Sequence, residues 1–167
     1  GAGKGVDCSP GKPTNSSLAG MRRIARSAIV ECSAERLYAL VEDIESYPEF
    51  LPWCVGAHVR ERSPGRTVAT IEVGMPGIRQ SFTTENANSP GRSIETRLLE
   101  GPFRRFAAHW KFAPLGAGAA RIEFAIAYEF ANRVVARALD PLFENSAGTM
   151  LDALTRRAEM LHGKAAG

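Results

Sequence analysis

The chain has 167 residues, of which 44% are hydrophobic and 23% are charged, and it carries a formal net charge of +3. This length and composition predict one soluble globular domain with a substantial core. The small basic excess does not favour DNA as a partner, and the lack of any run of about 18 uncharged apolar residues argues against a membrane-spanning helix.

The first 20 residues are rich in Gly, Pro, Ser and Thr and poor in apolar side chains. Such a segment cannot bury enough apolar surface to offset its chain entropy, so we expect a disordered leader. Met21 is typical of an original start, which favours an expression leader ahead of it. We expect one domain over residues 21–163 and a short tail over 164–167.

A strand and a helix are the first predicted elements. Arg22 to Glu31 is typical of a strand, and Ser33 is a suitable N-cap. Apolar residues then recur at helical spacing from Ala34 to Ile44, which predicts the first helix.

The segment Ser46–Cys54, here called the proline segment, combines two prolines, three aromatic residues, one leucine and one cysteine. It is too apolar for a solvated loop, and its prolines argue against a helix or a central strand. Two interpretations remain open at this point. The segment either plugs one end of a core or forms the rim or lid of an apolar cavity.

Five or six strands are predicted from Val55 onward. Pro-Gly pairs separate segments in which apolar and polar residues alternate, and this pattern indicates antiparallel strands with one face on a core. The clearest alternation predicts that five side chains share an inner face: Ile122, Phe124, Ile126, Tyr128 and Phe130.

The last predicted element is a long amphipathic helix from Arg133 to Leu161. At Asp140-Pro141 two outcomes are open: Asp140 caps a new helix, or one helix kinks. Three small residues follow at Ser146-Ala147-Gly148, and they indicate either close contact with the sheet or space for a guest.

These elements predict an α+β fold in which one long helix lies on a large curved sheet. One helix cannot cover such a sheet fully, so we expect a trough between them. The predicted walls and rim of this trough are mostly apolar: Tyr47, Pro48, Phe50, Leu51, Pro52, Trp53, Phe82, Leu98, Phe103, Trp110, Phe124, Ile126, Tyr128, Phe143, Ala147 and Met150.

Three polar residues, Gln80, Thr84 and Thr96, fall on the apolar faces of their predicted strands. A buried polar side chain needs a partner, which is the backbone, a water molecule or the headgroup of a ligand.

No catalytic or metal-binding pattern is visible. Nucleophile and phosphate-loop motifs are missing, and the three histidines are scattered. The cysteines Cys8, Cys32 and Cys54 are odd in number and widely spaced, which is typical of a reducing cytoplasm. We therefore expect a cytoplasmic protein without catalytic residues, metal or cofactor.

Several of these segments, in order, resemble the ribosome association toxin and coenzyme Q-binding proteins of the START-like superfamily. The resemblance begins with Tyr-Pro-x-Phe-Leu-Pro-x-Cys at residues 47–54 and continues through Phe82-Thr83-Thr84 and Gly101-Pro102-Phe103. It runs on through Trp110-Lys111-Phe112 and Arg121-Ile122-Glu123-Phe124 to the last helix. It implies the helix-grip fold, with six or seven antiparallel strands wrapped around the C-terminal helix.

The resemblance also implies a function: a non-enzymatic carrier or chaperone for a hydrophobic ligand such as ubiquinone or another lipid, in support of respiration. Such a protein is expected to make peripheral contact with the inner membrane.

Two alternatives remain. One is a toxin-like module that binds a ribosomal subunit through a basic patch of Arg22, Arg23, Arg26, Arg104 and Arg105. The other is a polyketide cyclase or dehydratase, which needs an ionisable residue inside the cavity. The predicted alternation along the strands places three ionisable residues on the face that points away from the cavity: His109, Lys111 and Glu123.

Overall fold

A curved antiparallel sheet of seven strands wraps around helices in the computed structural model, which describes residues 21–162. The strands are β1 (Arg22–Val30), β2 (Cys54–Ser63), β3 (Arg66–Met75), β4 (Ile78–Ser89), β5 (Ser93–Glu100), β6 (Phe103–Pro114) and β7 (Ala120–Phe130). Their order across the sheet is β1-β7-β6-β5-β4-β3-β2. The predicted α+β helix-grip architecture is confirmed. The predicted leader over residues 1–20 and tail over 164–167 lie outside the described residues.

The first helix, α1 (Ala34–Glu42), begins where the sequence predicts it. The Ser33 hydroxyl accepts a hydrogen bond from the backbone N–H of Arg36 at 3.2 Å, which caps the helix. The helix ends two residues earlier than predicted, and a 3-10 turn over Ile44–Ser46 continues the chain.

The proline segment contains a short helix, α2 (Tyr47–Phe50), so the prediction that its prolines exclude helical structure is wrong for this turn. Pro48 lies in the first turn of α2, where a missing backbone N–H costs no helical hydrogen bond. The turn brings Tyr47 inward, and Leu51 and Cys54 are buried behind it.

The C-terminal helix is divided, but no new helix begins at Asp140-Pro141, so the prediction that Asp140 caps one is wrong. Pro141 lies inside α3 (Arg133–Glu144), and the break falls at Asn145, before α4 (Ser146–His162). Asp140 lies inside α3, and its carboxylate accepts a hydrogen bond from Arg22 at 2.8 Å.

The inner face of the sheet and the buried sides of α1, α3 and α4 form one apolar core. The predicted inner set on β7 is buried throughout. Between residues 21 and 162, no helix combines the length and the apolar character needed to cross a membrane.

Candidate ligand-binding cavity

A partly open cavity of about 100 Å³ lies between the middle of the sheet, the α3–α4 break and the proline segment. Ten of the predicted trough residues line it: Tyr47, Trp53, Phe82, Thr84, Thr96, Trp110, Phe124, Ile126, Phe143 and Met150. These residues come from sequence positions more than 100 apart, and only the fold brings them together.

The other predicted trough residues lie elsewhere. Pro48 and Pro52 are exposed at the surface, and Phe50, Gln80 and Leu98 are half-buried outside the cavity. Four more are buried in the core and do not line the cavity: Leu51, Phe103, Tyr128 and Ala147.

Eight lining residues were not among the predicted site residues: Val41, Ile44, Ile71, Asn86, Phe106, Ala108, Leu142 and Ser146. Asn86 continues the two-residue spacing of Phe82 and Thr84, so strand phase alone was enough to find it. Val41 and Ile44 carried only the signal of an ordinary apolar helix face.

Strand register explains why the core is hollow at this place. Asn86, Thr96, Ala108 and Ile126 are direct neighbours across four adjacent strands, so their side chains share the inner face. Thr96 and Ala108 have small side chains at the centre of this row. The row beside it is bulky, because Trp110 faces Phe124 with ring centroids 4.3 Å apart. The cavity is the space that the small side chains leave between large ones.

Within residues 21–162, one side-chain hydrogen bond joins two polar residues of the cavity, Thr96 and Asn86. The Thr96 hydroxyl donates to Asn86 Oδ1 at 2.7 Å, and both Asn86 and Thr84 are buried. Ser146 instead donates to the carbonyl of Phe143 at 2.8 Å, within the α3–α4 break.

The proline segment both plugs the core and borders the cavity. The Tyr47 hydroxyl donates to the carbonyl of Val41, and burial raises the pKa of this phenol. The segment is tied to α4 through Arg157, which donates to Glu49 at 2.8 Å and lies 5.1 Å from the centre of the Phe50 ring.

Among residues 21–162, no Asp, Glu, His, Lys or Arg lines the cavity. Burial raises the pKa of the nearby Cys54 thiol to about 11, so this thiol stays protonated and unreactive at neutral pH. The predicted outward residues lie on the other face, where His109 Nδ1 pairs with Glu95 at 2.6 Å. The described part of the lining therefore consists of apolar and uncharged hydrogen-bonding side chains, which suits an apolar molecule.

Three of the five predicted basic-patch residues form ion pairs with acidic side chains. Arg22 pairs with Asp140 at 2.8 Å and with Glu144 at 3.2 Å. Arg104 and Arg105 share Glu129, at 3.5 and 3.6 Å.

A family model described as polyketide cyclase / dehydrase and lipid transport matches residues 30–155. The chain belongs to this family. Within it, the chain is 41% identical over 142 residues to the ribosome association toxin RatA of Escherichia coli strain K12, covering 85% of this chain and 90% of that protein. It is 26% identical to the mitochondrial coenzyme Q-binding protein COQ10 homolog B of Xenopus laevis, over 88% of this chain and 63% of that protein.

The fold of this family member is shared with a solved structure, the ZhuI aromatase/cyclase from Streptomyces sp. R1128. The TM-score is 0.76 at 20% sequence identity, over 88% of this chain and 98% of that one. At this identity the likeness establishes the START-like fold and nothing about activity.

Proposed function

We propose that this protein is a non-enzymatic carrier or chaperone for a hydrophobic ligand, most simply an isoprenoid quinone such as ubiquinone. One observation carries the proposal: the core holds a cavity whose lining is apolar apart from a few uncharged hydrogen-bonding side chains. The coenzyme Q-binding name of one relative points to the same ligand class. Exchange of such a ligand would require visits to the surface of the inner membrane.

The energetics favour a prenylated ligand over a small polar one. Burial of a five-carbon isoprene unit contributes about 3–4 kcal/mol before binding entropy is subtracted, at about 0.8 kcal/mol per CH₂ group. Since the cavity is about 100 Å³, it holds only one end of such a ligand, and the remainder must lie along the cavity mouth.

Tryptophan fluorescence provides a direct test, because both tryptophans of the chain, Trp53 and Trp110, line the cavity. Quinones quench indole fluorescence on contact. Titration with a ubiquinone bearing one isoprene unit should therefore quench the emission saturably, in wild type and in both Trp53→Phe and Trp110→Phe. Mass spectrometry of a gentle organic extract should identify a prenylated lipid. A protein that releases no lipid and shows only linear, non-saturable quenching is not a carrier of this kind.

A second candidate, binding to a ribosomal subunit, is favoured by the name of the 41% identical relative and by one contact. Arg105 Nη1 lies 4.0 Å from Met21 Sδ, so the basic pairs at the starts of β1 and β6 meet at one end of the sheet. If this surface binds ribosomal RNA, the double variant Arg104→Glu/Arg105→Glu should abolish co-sedimentation with ribosomal subunits at low salt.

The matched control for that experiment is Arg60→Glu/Arg79→Glu, which makes the same change of charge at exposed positions on β2 and β4. Equal loss in both double variants would reflect net charge rather than a site. Wild-type protein that stays in the supernatant at low salt would rule out ribosome binding.

A polyketide cyclase or dehydratase has the least support. Its chemistry needs a carboxylic acid or histidine beside the substrate, and neither lines the cavity in the part of the chain from 21 to 162.

A further inference from the structure

Three side chains from β4 and β5 form a polar end inside the cavity: Thr84, Asn86 and Thr96. The exposed fractions of Thr84 and Asn86 are 6% and 7%. The hydroxyl of Thr96 donates to Asn86 Oδ1 at 2.7 Å, which satisfies only one of the hydrogens that this pair offers.

Two hydrogens of the pair remain available to a ligand. With Thr96 as donor, neither hydrogen on Asn86 Nδ2 has a side-chain or backbone acceptor within residues 21–162. If the amide is turned over, one of its N–H groups donates to Thr96, and the threonine hydroxyl hydrogen becomes free instead. The pair therefore presents two unpaired hydrogens to the cavity in either orientation.

The proline segment contributes the ring of Trp53 to the wall of the cavity. The indole nitrogen of Trp53 is buried and has no hydrogen-bond partner in the described part of the chain, and the Trp53 ring lines the same cavity. An indole N–H can only donate. This nitrogen has almost no accessible surface, so a molecule in the cavity would contact the Trp53 ring and not its N–H.

The size of the cavity limits what can enter. At about 100 Å³ it is smaller than the engineered cavity of about 150 Å³ that takes up benzene in another protein. It can therefore hold part of one ring, with the rest of the ring in the open mouth, and it has no space for an isoprenoid tail as well.

We propose that the ligand enters ring first: a carbonyl-bearing ring occupies the cavity and accepts hydrogen bonds from the Asn86–Thr96 pair, while the apolar tail leaves along the proline segment. This inference rests on the proposed carrier function and adds to it. It names the end of the ligand that is held, and it selects quinone-like ligands over hydrocarbons of the same shape.

The test compares two probes that differ only in their carbonyl groups: duroquinone, a fully methylated benzoquinone, and durene, the corresponding methylated benzene. Wild-type protein should bind duroquinone at least about tenfold more tightly than durene, since each lost hydrogen bond costs about a factor of ten. The near-isosteric double variant Asn86→Leu/Thr96→Val should bind the two probes equally. Thr70→Val is the matched control, because it removes a threonine hydrogen bond of 2.8 Å on the outer face of the sheet, and it should keep the preference.

Proton–nitrogen correlation spectra give a second readout that needs no variant. Duroquinone should shift the side-chain NH₂ signals of Asn86 and one of the two indole N–H signals, whereas durene should leave the Asn86 signals in place. If Asn86→Leu/Thr96→Val does not fold, these spectra and Thr96→Val alone decide the question.

The outcomes separate this inference from the carrier function. If the double variant binds duroquinone as tightly as wild type does, or if the Asn86 signals do not respond, ring-first binding is overturned and the carrier function stands. If wild type binds neither duroquinone nor a ubiquinone bearing one isoprene unit, the carrier function is overturned and this inference falls with it.

Discussion

The two ends of the core differ sharply although they share the same sheet. At one end, Phe103 has five aromatic neighbours, with ring centroids 5.0 Å from Phe106, 5.1 Å from Phe130, 5.4 Å from both Phe82 and Phe143, and 6.3 Å from Tyr128. At the other, Thr96 and Ala108 lie beside Trp110 and leave a hollow. The comparison teaches that the core is solid or hollow according to the size of the side chains that face each other across neighbouring strands. Sheet curvature alone does not decide where a ligand can bind.

The packed end should dominate stability. Phe103→Ala removes a ring whose contacts nothing else can replace, so we expect the free energy of unfolding to fall by about 3–5 kcal/mol. Urea unfolding followed by circular dichroism measures the change. Leu99→Ala, at a position 44% exposed, should change stability by less than about 0.5 kcal/mol. A loss below about 1 kcal/mol in Phe103→Ala would mean that the aromatic end is as loosely packed as the cavity.

Filling the hollow should abolish binding without unfolding the protein. Ala108→Leu places three more carbon atoms in the cavity, so we expect quinone affinity to fall roughly a hundredfold, which corresponds to about 2.7 kcal/mol, while the melting temperature stays close to that of wild type. The neighbouring Ala107 is exposed on the outer face, which makes Ala107→Leu the matched control. A destabilisation of about 1–3 kcal/mol in Ala108→Leu would instead indicate a site that is already packed.

Replacement of two glycines by alanine tests the contrast between packed and open regions, because each replacement adds a single methyl group. A Cβ at Gly101 would collide with Phe82 and lie 3.3 Å from Leu98, whereas one at Gly148 would meet nothing within 4 Å. We expect Gly101→Ala to destabilise the protein by about 1 kcal/mol or more. Gly148→Ala should stabilise α4 by about 0.5–1 kcal/mol, because alanine has the better helix propensity. Thermal unfolding measures both, and destabilisation by Gly148→Ala would contradict the open space beside that residue.

We expect the loss of folding stability at low pH to come from a surface ion pair rather than from either end of the core. Hydrogen bonds from Arg66 and Arg97 lower the pKa of Glu85 from its ordinary value of 4.5. A carboxylate with a lowered folded-state pKa adds stability above its unfolded-state pKa, and that stability is lost as the pH falls through the folded value. Stability should therefore decline below about pH 4.5.

Glu85→Gln should reduce this decline by a small amount, because the two arginine partners are solvent-exposed. Urea midpoints at about pH 7 and about pH 4 measure it. Glu159→Gln, on the exposed side of α4, should leave the decline unchanged. An identical acid response in Glu85→Gln and wild type would show that this ion pair does not contribute.

Several features that depend on residues close together in sequence were predicted correctly, whereas several that depend on distant residues were not. The β7 strand and the start of α1 were predictable because alternation and a serine cap act over a few residues. The position of the helix break was not, because Asp140-Pro141 carries the strongest local signal for an interruption, yet α3 continues through it to Glu144. Residue size alone could not decide between the two alternatives for Ser146-Ala147-Gly148: Ala147 is fully buried, whereas a Cβ at Gly148 would meet nothing within 4 Å.

The sequence by itself determined the class of fold, the polarity of each strand face and the absence of a recognisable catalytic motif, because these depend on spacing and residue type within single elements. Only the tertiary structure decided which of the apolar side chains border a hollow and which are packed solid. Phe103 and Trp110 are both buried aromatic residues on β6. One is enclosed by rings and the other lies beside Ala108, and that difference arises from strand register, which sets the neighbours of each side chain across the sheet.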